Sequence, residues 1–396
     1  MNESKLRAWW FHRQGLDGSL AKAAPEDVLE RAGWARSVGG VGPYITLFAR
    51  AGTSRAAADA AVERTKIHEL PAARGCTYVL PASEFALGLT VAQSSGEADL
   101  RIATKLGVSN KEIETLCEQV ADALDDGPLD PDGIKQAVGA SVRNLGDEGR
   151  KKGLTTTLPV ALGLLQTRGE IRRVPVDGRL DQQRYKYARW SPGPLEESRL
   201  TEAKAFSELA SRFFKWVGPA TMKEFQWFSG LGVKDAKDAV ESLSLVPAEA
   251  GSDRLLLPED EHAFVRYLAP RTAHYALVSS LDSISVTRRD VMTLVAAADR
   301  DMVAGIDLGD RGSRNISDLA AHAILDRGRL IGYWEYDPDA QRIVWALFTG
   351  RKDKALEQKV AEMETFVREQ LGDARSFSLD SPRSRRPKLD ALAKLT

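Results

Sequence analysis

Along residues 1–272, helically spaced apolar positions give way three times to a pair of short alternating segments, a repeated order of helices and then a hairpin. The first round predicts helices over residues 4–13, 25–30, 44–50 and 54–64. Strands follow over 66–70 and 76–80, joined by the loop Pro71-Ala72-Ala73-Arg74-Gly75. The second opens on Ser109 and Glu112, spaced as a capping box. Ile113, Leu116, Cys117, Val120 and Leu124 then share a face, and Asp130-Pro131 starts a short helix. A polar loop is expected over 139–153. Residues 155–157 offer a threonine N-cap to a helix that carries Leu158, Ala161, Leu162 and Leu165 on one face and stops at Gly169. Residues 170–176 and 182–190 alternate as strands around the turn Asp177-Gly178. In the third round a long helix over 200–216 precedes helices over 221–229 and 233–243, which flank the turn Gly230-Leu231-Gly232. A hairpin over 245–247 and 254–257 closes it.

After residue 272 the period changes. Strand-like runs at 320–326, 330–336 and 342–347 predict an antiparallel meander, followed by a charged amphipathic helix over 354–371. The tail around Arg383, Arg385, Arg386 and Lys388 is expected to be polar and loose at its end. The expected fold class is therefore α+β. Three tandem winged-helix units (residues 1–105, 106–193 and 194–272) precede a C-terminal antiparallel β-rich domain with a terminal helix (273–396).

Net charge alone, −1 at pH 7, gives no hint of a polyanionic partner. Its distribution does. The hairpin of the second unit carries Arg172, Arg173, Arg179, Arg184, Lys186 and Arg189 against Glu170, Asp177 and Asp181. A helix running into a basic hairpin is the layout of a DNA-binding wing. These six residues are the candidate DNA contacts, expected to touch phosphate and to carry little sequence information. Double-stranded DNA is thus the expected partner. No helix suited to dimerisation stands out, so a monomer is expected. No apolar run approaches 18 residues, and residues 1–13 lack a signal-peptide layout. Cys76 and Cys117 read as free buried thiols, which suits the reducing cytoplasm. The five histidines show no metal-ligand spacing, so neither a metal nor a cofactor is expected.

Several residues invite sharper readings than they support. Trp9, Trp10 and Phe11 are consecutive on a helix and suit core packing better than base stacking. Gly39, Gly40 and Gly42 lack the Lys-Ser/Thr of a phosphate loop and fit a turn between helices. The helix over 233–243 shows Lys234, Asp235, Lys237 and Asp238, a mixed-sign face poor for a polyanion. Asp282 is expected to cap a turn, and His322 to be a packed strand residue.

Five segments in order carry a resemblance to a known family. They are Gly42-Pro43-Tyr44-Ile45-Thr46-Leu47-Phe48-Ala49-Arg50; Arg74-Gly75-Cys76-Thr77-Tyr78-Val79-Leu80-Pro81-Ala82; residues 156–190, with their G-R-L-D-x-x-R-Y-x-Y ending; Leu281-Asp282; and Asp326-Arg327-Gly328-Arg329-Leu330-Ile331-Gly332. Over roughly residues 5–350 the chain resembles the AlkZ-like family of winged-helix DNA-binding proteins. That likeness implies three winged helices and a β-rich domain around a DNA-binding channel, with a role in recognising or repairing alkylated or crosslinked DNA. Members of the family are glycosylases marked by Gln-x-Gln or Gln-x-Asp shortly before the Pro-Tyr segment, where a side chain holds or activates water against the sugar C1′. Here the matching positions are Arg36 and Val38, and no glutamine or aspartate occurs from Ala32 to Thr46. The alternatives are a glycosylase with a substituted motif, in which Arg36 or a residue outside the motif takes over, and a winged-helix transcriptional regulator.

Overall fold

The computed structural model describes residues 2–182, 184–306, 308 and 317–395. Among these residues the fold is mixed, with helices and four antiparallel sheets. Among the described residues no helix is long and apolar enough to cross a membrane.

The first stretch contains α1 (Glu3–Arg13), α2 (Pro25–Ala32), β1 (Ala35–Arg36), α3 (Gly42–Ala51), α4 (Arg55–Glu63), β2 (Ile67–Pro71) and β3 (Thr77–Pro81). Local chemistry sets their ends. Asn2 caps α1 by accepting from the Ser4 and Lys5 amides, and Ser54 caps α4 by accepting from the Ala57 amide. Proline opens both α2 and α3. Gly39, with φ +74, turns the chain between β1 and α3. As expected, Trp9, Trp10 and Phe11 are buried. The indoles of Trp9 and Trp10 donate to the carbonyls of Gly218 and Pro219, so α1 bolts distant parts of the chain together.

The second stretch runs through α5 (Phe85–Lys105), α6 (Asn110–Ala123), α7 (Pro131–Val138), α8 (Gly146–Lys151), α9 (Leu158–Thr167), β4 (Ile171–Pro175) and β5 (Tyr185–Arg189). Ser109 accepts from the Glu112 amide at the start of α6, and Asp130 caps α7 through the Gly133 amide. Four expectations need correction here. The 21-residue α5 was not anticipated, because its apolar face is divided: Phe85, Leu87, Leu89 and Val91 join one core, while Ala103 joins another. The polar loop at 139–153 contains α8, which has Asp147 and Glu148 in its first turn and Arg150 and Lys151 in its last, matching the helix dipole. Thr157 has helical backbone angles and accepts from the Arg143 amide at 3.0 Å, so its hydroxyl does not cap α9. The hairpin is not closed by a two-residue turn. β4 ends at Pro175 and β5 begins only at Tyr185, because Leu180 between them is buried in a core with Tyr44 and its amide donates to the Tyr44 hydroxyl at 2.9 Å. Gln183, within the expected second strand, lies outside the described residues.

The third stretch holds α10 (Glu202–Val217), β6 (Ala220–Thr221), α11 (Met222–Ser229), α12 (Val233–Val240), β7 (Val246–Pro247), β8 (Arg254–Leu256) and α13 (Pro258–Arg266). Thr221 and Glu224 form a complete capping box on α11, and Gly230, at φ +79, ends it. The fourth holds β9 (Tyr275–Val278), α14 (Ser283–Val286), α15 (Arg300–Ala304), β10 (His322–Asp326), β11 (Arg329–Asp337), β12 (Arg342–Leu347), α16 (Lys354–Phe366) and α17 (Pro382–Leu395). β9 widens the expected meander to four strands in the order β12-β11-β10-β9. The tail expected to be loose is α17, which buries Leu389 and Leu392, while its Arg385 pairs with Asp373 at 2.7 Å.

One knot joins segments far apart in sequence. Asp282 caps α14 through the Ile284 amide, as expected, and also receives two hydrogen bonds from Arg50 at 2.8 and 2.7 Å. Arg50 donates as well to Gln14 and Ser283, and Gln14 donates to the Trp216 carbonyl. The pair is fully buried, and its hydrogen bonds offset a desolvation cost that an isolated charge would not survive.

Candidate functional site

β1 carries Arg36, one of the two positions singled out in the sequence, and Val38 follows just after it. The strand pairs antiparallel with β3, Arg36 opposite Tyr78, and is anchored by the Trp34 indole, which donates to buried Glu84 at 2.5 Å. Because side chains alternate along an extended segment, Arg36 and Val38 face one way and Ser37 the other. Arg36 and Val38 line a cavity of about 710 Å³. Ser37 is buried and donates to Glu69 at 2.7 Å.

Besides the β1 segment, several parts of the chain build this cavity. Arg74, Cys76 and Tyr78 come from the β2–β3 hairpin, and Trp227 from α11. Ser280, Leu281 and Arg289 flank α14. Glu335 lies on β11, and Ser376, Phe377, Arg385 and Lys388 belong to the C-terminal segment. That segment docks directly on the motif. The Val41 amide donates to Arg375 and the Ser378 amide to Val38. Gly40 is essential to this approach, since a Cβ there would sit 2.2 Å from the Ser376 carbonyl oxygen. Cys76, expected to be buried, is half-exposed on the cavity wall, whereas Cys117 is buried.

The wall is electrostatically uneven. Arg36 donates to the Thr77 carbonyl at 3.0 Å and lies over the Tyr78 ring, 5.2 Å from its centroid. Neither Arg36 nor Arg74 has a carboxylate partner among the described residues. Glu335 is 2% exposed, with Lys388 at 3.6 Å, and burial pushes its carboxyl up to about 7 against the pull of Lys388 and Arg385. Two N–H groups of Arg385, on Nε and Nη1, are buried without a partner among the described residues. His322, beside this wall, accepts from the Ser280 amide on Nδ1, so its Nε2 donates to the Ala374 carbonyl at 2.7 Å. Both ring nitrogens are occupied and burial lowers its pKa to about 4, which makes it the packed, neutral strand residue expected.

The basic residues of the β4–β5 hairpin divide into two sets. Arg173 lies against the Tyr185 ring, 5.3 Å from its centroid, near buried Glu69, whose carboxyl is raised by burial. Arg179 pairs with Asp181 at 2.6 Å and donates to the Leu371 carbonyl. Arg189 pairs with Asp125 at 3.0 Å, with Glu170 further off at 3.9 Å. Arg184 and Lys186 are exposed and Arg172 is half-buried, and none of the three makes an ion pair among the described residues. Arg173 lines a second cavity of about 500 Å³, which shares the β3 region with the first: Thr77 and Gly75 line the second, Cys76 and Tyr78 the first. Among the described residues no group of three or more His, Cys, Asp or Glu is arranged to hold a metal ion.

Arg36 and Val38 were reached through the family register. Arg74 lay inside a quoted segment without being singled out. Trp227, Arg289, Glu335 and Lys388 carried no local signal, because they reach the cavity only through tertiary packing.

Comparison with known proteins adds a family and a fold. The family model described as "DNA glycosylase AlkZ-like" matches residues 41–366. Among solved structures, the Streptomyces sahachiroi DNA glycosylase AlkZ superposes with a TM-score of 0.71 at 19% identity, over 94% of this chain and 97% of that one. None of the curated proteins matches.

Proposed function

The chain belongs to the AlkZ-like DNA glycosylase family, and from that premise we propose that it binds damaged double-stranded DNA in recognition or repair of alkylated or crosslinked bases. In this reading the three helix-and-hairpin stretches act as winged helices over residues 1–105, 106–193 and 194–272, and the β-rich part over 273–396 completes a channel around the 710 Å³ cavity. The observation that carries it is the position of Arg36 and Val38 on the cavity wall, where a base turned out of the duplex would be held. The hairpin supports backbone contact chiefly through Arg172, Arg184 and Lys186. Arg173 and Arg179 are held within the hairpin, and Arg189 is engaged by Asp125 at its surface. The test is fluorescence anisotropy of the full chain with a short labelled duplex, intact or alkylated. Affinity should fall steeply between about 50 and 200 mM salt as counterions are released. Absence of binding at the lowest salt would sink the proposal.

Glu335 favours a second reading, that of a glycosylase with a substituted group. Its carboxyl, raised to about 7, faces the same cavity as Arg36 and Val38. As carboxylate it accepts a proton from water while the water oxygen bonds to C1′ and the C1′–N bond breaks, the base leaving with the electron pair. Release of methylated bases from alkylated duplex should then rise through an inflection near pH 7 and disappear in Glu335→Gln. No release by the unaltered protein across a panel of lesions would exclude this reading and leave the binding proposal intact.

A further inference from the structure

At the cavity mouth, one indole lies between two guanidinium groups. Arg74 Cζ is 3.5 Å from the centroid of the Trp227 ring and Arg289 Cζ is 4.0 Å from it. At those distances each cation must sit over the ring, and the two occupy opposite faces. Trp227 therefore has no free face on which a base could stack. It acts as a spacer that fixes two like charges at a set separation.

The chain takes on strain to build this arrangement. Arg74 and Arg289 both have left-handed backbone, at φ +59 and +51, a conformation that non-glycine residues rarely adopt. Gly230 makes room for Arg74, because a Cβ there would come within 2.8 Å of Arg74 Cγ. The three residues come from the β2–β3 link, from α11, and from just after α14, so the sandwich forms only in the folded chain. A cation on an aromatic face is stabilised by the ring's negative face, but a second like charge on the same ring adds repulsion that packing alone does not require. Neutralisation is slight. Arg74 is exposed with no acid partner among the described residues, and Arg289 has only exposed Asp318 at 3.4 Å. Arg74 donates no hydrogen bond to any described residue, whereas the Nε edge of Arg289 faces Asp318.

We propose that Arg74, Trp227 and Arg289 form a clamp for two DNA phosphates that flank a nucleotide turned into the cavity. The ligand is a phosphodiester backbone, because a stacked guanidinium presents its donors as a planar fork matched to phosphate oxygens. This rests on the DNA-binding reading above and adds where the strand is gripped.

The test measures binding of the full chain to two labelled duplexes, one intact and one carrying a tetrahydrofuran abasic analogue, whose sugar turns out at little cost. The unaltered protein should prefer the abasic duplex. Arg74→Ala/Arg289→Ala should lose about tenfold or more in affinity for it, erase the preference, and lower the salt slope by about two. Arg74→Lys/Arg289→Lys keeps the charges but loses the fork, and should retain most of the salt slope while losing the preference. Arg184→Ala/Lys186→Ala should weaken both duplexes alike. Unchanged affinity, preference and slope in the folded double-alanine variant, checked by its melting transition, would overturn the clamp and leave the sandwich as a weld between segments. If the unaltered protein bound neither duplex, the DNA-binding reading itself would fail, an outcome distinct from the other.

Discussion

The β4–β5 hairpin and the cavity wall contrast in how they use charge. The hairpin is the richest basic stretch of its region, yet Arg173, Arg179 and Arg189 are held by Glu69 and Tyr185, by Asp181, and by Asp125. The cavity draws its cations singly from distant segments, and Arg36 and Arg74 stand there without a carboxylate partner among the described residues. A polyanion responds to charge that the protein has not already neutralised, so local density along the chain overstates the hairpin and hides the cavity.

The sharpest way to break this contrast is to remove the knot that holds the cavity wall in place. Arg50→Ala or Asp282→Ala leaves one fully buried charge unpaired next to Ser280 and Leu281, which line the cavity. Each should cost about 3–5 kcal/mol, read as a lower urea midpoint. Arg189→Ala opens an exposed ion pair on the hairpin and should cost about 1 kcal/mol or less. Equal losses would mean that the two regions are built alike.

Glu335 separates them by pH. Its folded pKa of about 7 lies above the ordinary 4.5, so between those values the folded state holds a proton that the unfolded state releases. The stability this contributes is fully present below pH 4.5 and is lost as pH rises through 7. Glu335→Gln keeps the neutral form at every pH. The variant should match the unaltered protein near pH 5 and be more stable at pH 8, by on the order of 2 kcal/mol. Denaturant titrations at the two pH values measure it. A difference independent of pH would mean that Glu335 stays ionised beside Lys388.

What was legible in the sequence follows the same division. Elements governed by a local rule were readable: Asp130-Pro131 as the start of α7, Asp282 as a cap, and the one-faced periodicity of α6. Elements that divide their apolar residues between two cores were not. α5 shares its face between neighbouring stretches, and α17 buries little beyond Leu389 and Leu392, behind a surface of arginine and lysine. The cavity escaped for a related reason. Glu335 alternates along β11 like any strand residue, and only the packing of α17 across the sheet brings Lys388 beside it.

The smallest expected effect bears most directly on the hairpin. Arg184 and Lys186 are exposed, lie beside the connection that Leu180 pins to the first core, and have no ion-pair partner among the described residues. Removing both should leave the melting temperature unchanged, because surface charges without partners contribute little to folding. DNA affinity should fall modestly, with a salt slope reduced by about two. Arg173→Ala should do the reverse. It leaves Glu69 without its nearby positive charge, at a cost to stability, and alters the salt slope little because that charge is already engaged inside the protein. If Arg173→Ala instead lowered the slope as much as the exposed pair does, the hairpin's internal charges would still be reaching the DNA. Neutralisation by neighbours would then not be what distinguishes the two regions.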